Sequence, residues 1–273
     1  MTGSARAAPP RRADGLLRVT LDAPPLPEKV PVFDSVAKAY IEVFGQTERF
    51  LRLAAIPLVL GIILGIPESL GPRFDMIPRQ VSIALATIGS TLLSMAFSVR
   101  WYRFVLLKEP SPALFGPGFL RYLGLTVLLF MPPMALAGVE VALLTGPSPD
   151  NAGGILASFG ALGLLLVAIR CSLALAAGAC GFPLGLREAW GRLKGNFWRL
   201  FGAMMLCGLP AILVYGIVVK LTMRGIGTGG SVNLGVILVA QAAQGIVGYL
   251  LLALSASLVS VFYRRIMRTD RLI

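Results

Sequence analysis

Histidine is absent from this 273-residue chain, and cysteine occurs three times. Cys171, Cys180 and Cys207 show neither a CxxC pair nor metal-ligand spacing. With no imidazole to complete a ligand set, no metal site is expected, and the three read as small apolar packing residues. Charge is scarce too: Asp, Glu, Lys and Arg make up 14% of the chain, against about a quarter in soluble domains. That excludes a large soluble core under an ordinary charged surface. General acid–base side chains and a base able to activate a serine are nearly missing, so the expectation is no catalytic residue, no cofactor and a non-enzymatic role.

Apolar sequence fills the space those absences leave. The chain is 56% hydrophobic with a mean hydropathy of +0.80. Its net charge of +12 comes from bases that border apolar segments rather than forming one tract, which indicates membrane topology and not nucleic-acid binding. Arginine far outnumbers lysine, and alanine, glycine and leucine abound; this leans toward a GC-rich bacterial source.

The stretch around Leu186–Pro210 holds the organising unit. In LREAWGRLKGNFWRL, Leu186, Ala189, Trp190, Leu193, Phe197 and Trp198 recur at helical spacing with Arg187, Arg192 and Lys194 between them, the pattern of a helix lying along a headgroup surface. Leu200 to Val219 then carries no charge, and twenty such residues make about 30 Å of helix, one bilayer core. A similar unit stands 150 positions earlier, with Ala39, Tyr40, Gly45 and Arg49 where Ala189, Trp190, Gly195 and Arg199 stand. A weaker echo, Phe119 to Tyr122, also precedes an apolar run. The expectation is three helical hairpins in series.

Taken in order, residues 1–31 form a Pro-, Ala- and Arg-rich arm with no apolar run long enough for a signal peptide, and residues 32–273 form the membrane domain. Phe33, Val36, Tyr40, Val43 and Phe44 share the apolar face of the first surface helix, capped by Asp34 or Ser35. The spans follow at about 51–70, 80–99, 122–144, from 155 through Arg170 into CSLALAAGAC, 200–219 and 236–262. Thus the fold class is all-α integral membrane with six transmembrane helices and amphipathic interfacial helices before spans one and five. The GxxxG of Gly61 and Gly65 indicates close helix packing. Ser90, Thr91, Ser94 and Ser98 are expected to bond backbone, and the WYRF segment at 101–104 to anchor at the interface. The glycine-rich run after Arg224 lacks a phosphate-loop pattern.

Six residues are candidates for function. Pro132 and Pro133 remove two backbone donors from span three and kink or unwind it. Glu140 and Arg170 are ionisable groups within apolar segments, yet counting depth places them toward opposite interfaces, so a direct pair is not expected; Arg170 either serves a site or snorkels to phosphates at the inner surface. Gln241 and Gln244, one turn apart, are expected to bond a neighbouring helix or to line a polar path. The loops between spans two and three, between four and five, and after six each carry four bases, against two, none and two in the others. By the positive-inside rule both termini are cytoplasmic in a bacterial inner membrane. The partners expected are the bilayer, its anionic lipids or another membrane protein.

The pattern LREAWGRLKGNFWRLFGAMMLCGLP, the segment SVRWYRFVLL and the segment RCSLALAAGA resemble a broad group of bacterial six-span membrane proteins. They are similar to the membrane domain joined to some glycerophosphodiester phosphodiesterases. The likeness implies a six-helix membrane fold over about residues 33–268. No catalytic domain is expected within this sequence, and without histidine the phosphodiesterase activity is not expected, so no catalytic residue carries over. Two functions remain: a module that supports or regulates envelope proteins or lipids, or a small transporter or lipid-handling protein. A cavity reaching mid-membrane, lined by Arg170, Gln241 or the proline pair, separates the second from the first.

Overall fold

A computed structural model of the chain describes residues 29–70, 78–110, 113–116, 118–145, 151–227 and 234–268. Most of the basic arm, the turn at 146–150, the glycine-rich run at 228–233 and the tail after 268 lie outside the described residues. Among the described residues the fold is all-helical: α1 Val32–Phe44, α2 Thr47–Leu70, α3 Arg79–Leu107, α4 Phe119–Thr145, α5 Asn151–Arg170, α6 Ser172–Cys180, α7 Leu186–Arg192, α8 Phe197–Gly227 and α9 Leu234–Arg268. Six of these helices, α2, α3, α4, α5, α8 and α9, are long and apolar enough to cross a membrane. They pair as antiparallel hairpins, α2 with α3, α4 with α5, and α8 with α9.

The hairpins share one base. There α9 packs against α1, α2, α3, α6 and α8, and 56% of its apolar window is buried, against 11% for α4. Because lipid tails are as apolar as leucine, close packing and hydrogen bonds hold this base together more than water exclusion does. Trp101 stacks on Phe97 with ring centroids 6.1 Å apart, and Phe50 meets both rings edge-on. The Trp101 indole N–H donates to Ser257 Oγ at 2.8 Å. Away from the base the helices expose most of their apolar side chains.

The WYRF segment departs from expectation. Trp101, Tyr102 and Phe104 are buried among protein neighbours in the base rather than exposed on the outside of the bundle, because α3 runs on to Leu107 and packs against α9 and α6. Arg100 is buried with them, and its Nη1 donates to the Leu53 carbonyl at 3.1 Å. The fourth apolar segment is likewise not one helix. It breaks at Cys171, where ψ is 1°, and α6 is buried from Ser172 to Ala179. Its alanines and Gly178 let neighbours approach on all sides; a Cβ at 178 would stand 2.9 Å from Leu125. The lipid-facing α5 cannot share that close-packed environment.

Helices α1 and α7 stand where the two amphipathic helices were expected, each separated from the span that follows it by a break at a glycine. Gly195 has φ +86°, a left-handed conformation that a side chain resists, and it separates α7 from α8. At the matching position Gly45 has an ordinary φ of −68°, but a Cβ there would meet the Ile41 carbonyl oxygen at 2.5 Å. The helix α1 starts one turn earlier than the expected caps: Pro31 precedes it, Asp34 lies in its first turn, and Ser35 Oγ donates back to the Pro31 carbonyl at 2.7 Å. Its buried face is Ser35, Val36, Ala39 and Val43. Phe33 and Phe44, expected on that same face, instead point outward with Ile41, Phe33 being 78% exposed.

Several polar contacts fasten α1 to the base. Val30 N–H donates to Asn196 Oδ1 at 3.0 Å, and Arg199 donates to the Val30 carbonyl at 3.1 Å. The Tyr40 hydroxyl donates to the Cys207 carbonyl at 2.9 Å. Arg264 pairs with Glu42 at 2.5 Å, and Arg265 pairs with Asp34.

Candidate functional site

A cavity of about 580 Å³ lies between the α2–α3 and α8–α9 hairpins. From α2 it takes Leu58, Gly61, Ile62 and Gly65; from α3, Ser90 and Ser94; from α8, Tyr215; and from α9, Gln241, Gln244, Gly245, Gly248, Tyr249 and Leu252. Among the described residues its lining is polar at several points and carries no charge. On α9 it extends from Gln241, near the end remote from the base, to Leu252 at mid-span, about 17 Å of helix at 1.5 Å per residue. The cleft therefore occupies the half of the helix bundle opposite the base.

Glycines shape the cleft through the space they leave. Two close contacts hold α2 on α9: a Cβ on Gly65 would stand 2.9 Å from Gln241 Nε2, and one on Gly245 would stand 2.5 Å from Leu58 Cδ1. Between and beyond these contacts, Gly61 and Gly248 have nothing within 4 Å of a built Cβ. Of the GxxxG pair, then, Gly65 serves helix packing as expected, while Gly61 leaves open volume.

Gln241 and Gln244 both line this cleft. Gln241 Nε2 donates to the Gly65 carbonyl at 3.1 Å, so its expected bond to a neighbouring helix and its place in a polar cavity hold together. The hydroxyls of Ser90, Thr91 and Ser98 donate to carbonyls of their own helix, at 3.1, 2.7 and 2.9 Å, as expected, although Ser90 also faces the cleft. Tyr215 and Tyr249, which are not among the six sequence candidates, also line the cleft. An aromatic hydroxyl midway along an apolar segment was the signal available for them.

The remaining candidates lie elsewhere. Pro132 and Pro133 sit inside α4, which continues through both as helix; the backbone does not unwind there, and neither proline lines the cleft. In the α4–α5 hairpin Leu136 faces Gly160 and Leu144 faces Gly154. Extrapolating that antiparallel register separates Glu140 from Arg170 by about 20 Å along the axis, and the two do not pair. Arg170 closes α5 at the base, its guanidinium carbon 4.0 Å from the Trp190 ring centroid and 5.8 Å from that of Phe197.

No family model, curated protein or solved structure matches the chain. The cysteines are free thiols, and among the described residues no group of three His, Cys, Asp or Glu side chains is placed to hold a metal. Cys180 lies at the end of α6, where burial pushes its thiol up to about 12.

Proposed function

We propose that this multi-pass membrane protein is a non-enzymatic lipid-handling protein whose cleft receives an amphiphile with an uncharged, hydrogen-bonding head. One observation carries the reading: amides of Gln241 and Gln244 and hydroxyls of Ser90, Ser94, Tyr215 and Tyr249 line a cavity that reaches mid-span between hairpins. A pocket with a few converging polar groups in apolar walls is the usual form of a small-molecule site. Donors and acceptors without a fixed charge suit hydroxyls, esters or amides better than a phosphate.

The positive-inside rule orients the site. With the arginine-rich base on the cytoplasmic side of a bacterial inner membrane and both termini there, the cleft opens in the outer leaflet. The likeness to phosphodiesterase-linked membrane domains supports a lipid context and brings no catalytic step with it.

Labelling tests the reading. In proteoliposomes, a photoactivatable diacylglycerol should label α2, α3 and α9 residues of the cleft above a chain-matched hydrocarbon probe. Gly61→Leu and Gly248→Leu put side chains into open volume, so they should abolish that excess with folded yield unchanged. Equal labelling by both probes, or labelling that survives both substitutions, would reject the site.

A second reading, a module that supports or regulates other envelope proteins, rests on the apolar faces that α4 and α5 leave exposed. Cross-linking from Leu128 or Phe159 to another protein in intact membranes favours it; cross-links to lipid alone do not.

A further inference from the structure

We infer that Arg170 is the cationic half of a second binding site, one that holds the phosphate of an anionic phospholipid in the leaflet at the base. The guanidinium carbon stands over the Trp190 ring, 4.0 Å from its centroid, with the Phe197 centroid at 5.8 Å. The ring attracts the cation but accepts no N–H hydrogen bond in the way an oxygen does, so the guanidinium donors still call for an acceptor. Nε is buried without an acceptor. Among the described residues Arg170 makes no hydrogen bond and no ion pair.

Other arginines of the base are engaged: Arg103 by Glu109, Arg192 by Glu188 and Arg264 by Glu42. Glu140, the acid most readily matched to Arg170 in the sequence, lies at the other end of its hairpin. The surroundings favour an anion. Arg187, three positions before Trp190 on α7, and Lys194, in the turn that follows the helix, are both exposed. Trp198 is 69% exposed and packs on Phe197 with centroids 5.0 Å apart. An indole pair of this kind sits at headgroup level, where the available anion is a lipid phosphate able to accept two guanidinium N–H groups side by side. The site is separate from the uncharged cleft and stands whether or not the cleft binds an amphiphile.

Trp190 is its own reporter. With Trp198→Phe in place and Trp101 buried in the base, Trp190 is the remaining tryptophan in contact with lipid. In phosphatidylcholine nanodiscs, a minor fraction of brominated phosphatidylglycerol should quench it several-fold more than the same fraction of brominated phosphatidylcholine. Arg170→Gln should remove most of that several-fold preference, and Arg170→Lys should restore part of it. Equal quenching by the two lipids in the Arg170 protein overturns the inference without reliance on any Arg170 variant. A preference unchanged in Arg170→Gln also overturns it. Loss of the preference on adding excess inorganic phosphate would show a site for free phosphate instead of a lipid.

Discussion

The two glycines of the GxxxG pair should respond in opposite directions to alanine. In each case the helix gains about 0.5–1 kcal/mol when glycine's backbone freedom is removed from the unfolded chain. At Gly61 the new methyl meets nothing within 4 Å, so Gly61→Ala should stabilise the protein by about that amount. At Gly65 the methyl would stand 2.9 Å from Gln241 Nε2. A long side chain can swing aside at little steric cost, but it then gives up the 3.1 Å bond to the Gly65 carbonyl. A buried hydrogen bond left broken costs about 1–3 kcal/mol in water-soluble proteins, and about 0.6 kcal/mol is typical between membrane helices. Taking a value near 1.5 kcal/mol because the amide is partly buried, Gly65→Ala should come out about 0.5–1 kcal/mol less stable than the parent. The assay is reversible denaturation in mixed micelles, with both variants and Gln241→Ala measured together. In Gln241→Ala the Gly65 substitution should recover its stabilising sign. If Gly61→Ala destabilises as much as Gly65→Ala, α2 and α9 are in contact along their whole length and the cleft does not exist.

Three further outcomes follow from the base. Ser257→Ala removes the acceptor of the buried Trp101 N–H and should cost about 1 kcal/mol; adding Trp101→Phe should cost less than the two changes summed, as read in a double-mutant cycle of denaturation. Asp34 is held below its usual value of 3.8 by hydrogen bonds from Lys38 and Arg265. Its stabilising contribution is thus complete above pH 3.8 and fades as the pH falls below it; Asp34→Asn should remove that part of the acid sensitivity of thermal unfolding. With its thiol pushed up to about 12 by burial, Cys180 should resist maleimide at neutral pH in the folded protein and react after denaturation, as mass spectrometry would show.

Much of the bundle was legible because spans are written in one dimension. Long uncharged runs bordered by arginine admit few alternatives, since every backbone group in lipid must be bonded within its own segment. Hence the six spans were found, together with the positions of the short helices before the first and the fifth. Burial was not legible. Trp101 beside Arg100 and Arg103 has the composition of an interfacial anchor, yet it is 0% exposed. In lipid the inner and outer faces of a helix can be equally apolar, so hydropathy does not say which face is packed. For the same reason the apolar stripe of α1 did not show that Val36 and Val43 are packed while Phe33 and Phe44 stay exposed, and the break at Cys171 left no mark in an apolar stretch.

The candidate site divides the same way. Gln241 stood out because an amide at membrane depth needs a partner. Its partner, the Gly65 carbonyl, lies 176 positions away in sequence, and only the packing of α2 on α9 decides it. Arg170 stood out as a charge in an apolar segment, and the docking of α7 decided that it rests on Trp190 rather than beside a carboxylate. Local chemistry fixes which segments must be helical and which residues are costly to immerse. The gaps between hairpins depend on which glycines face a neighbour and which face open space, and that is settled by long-range contact alone.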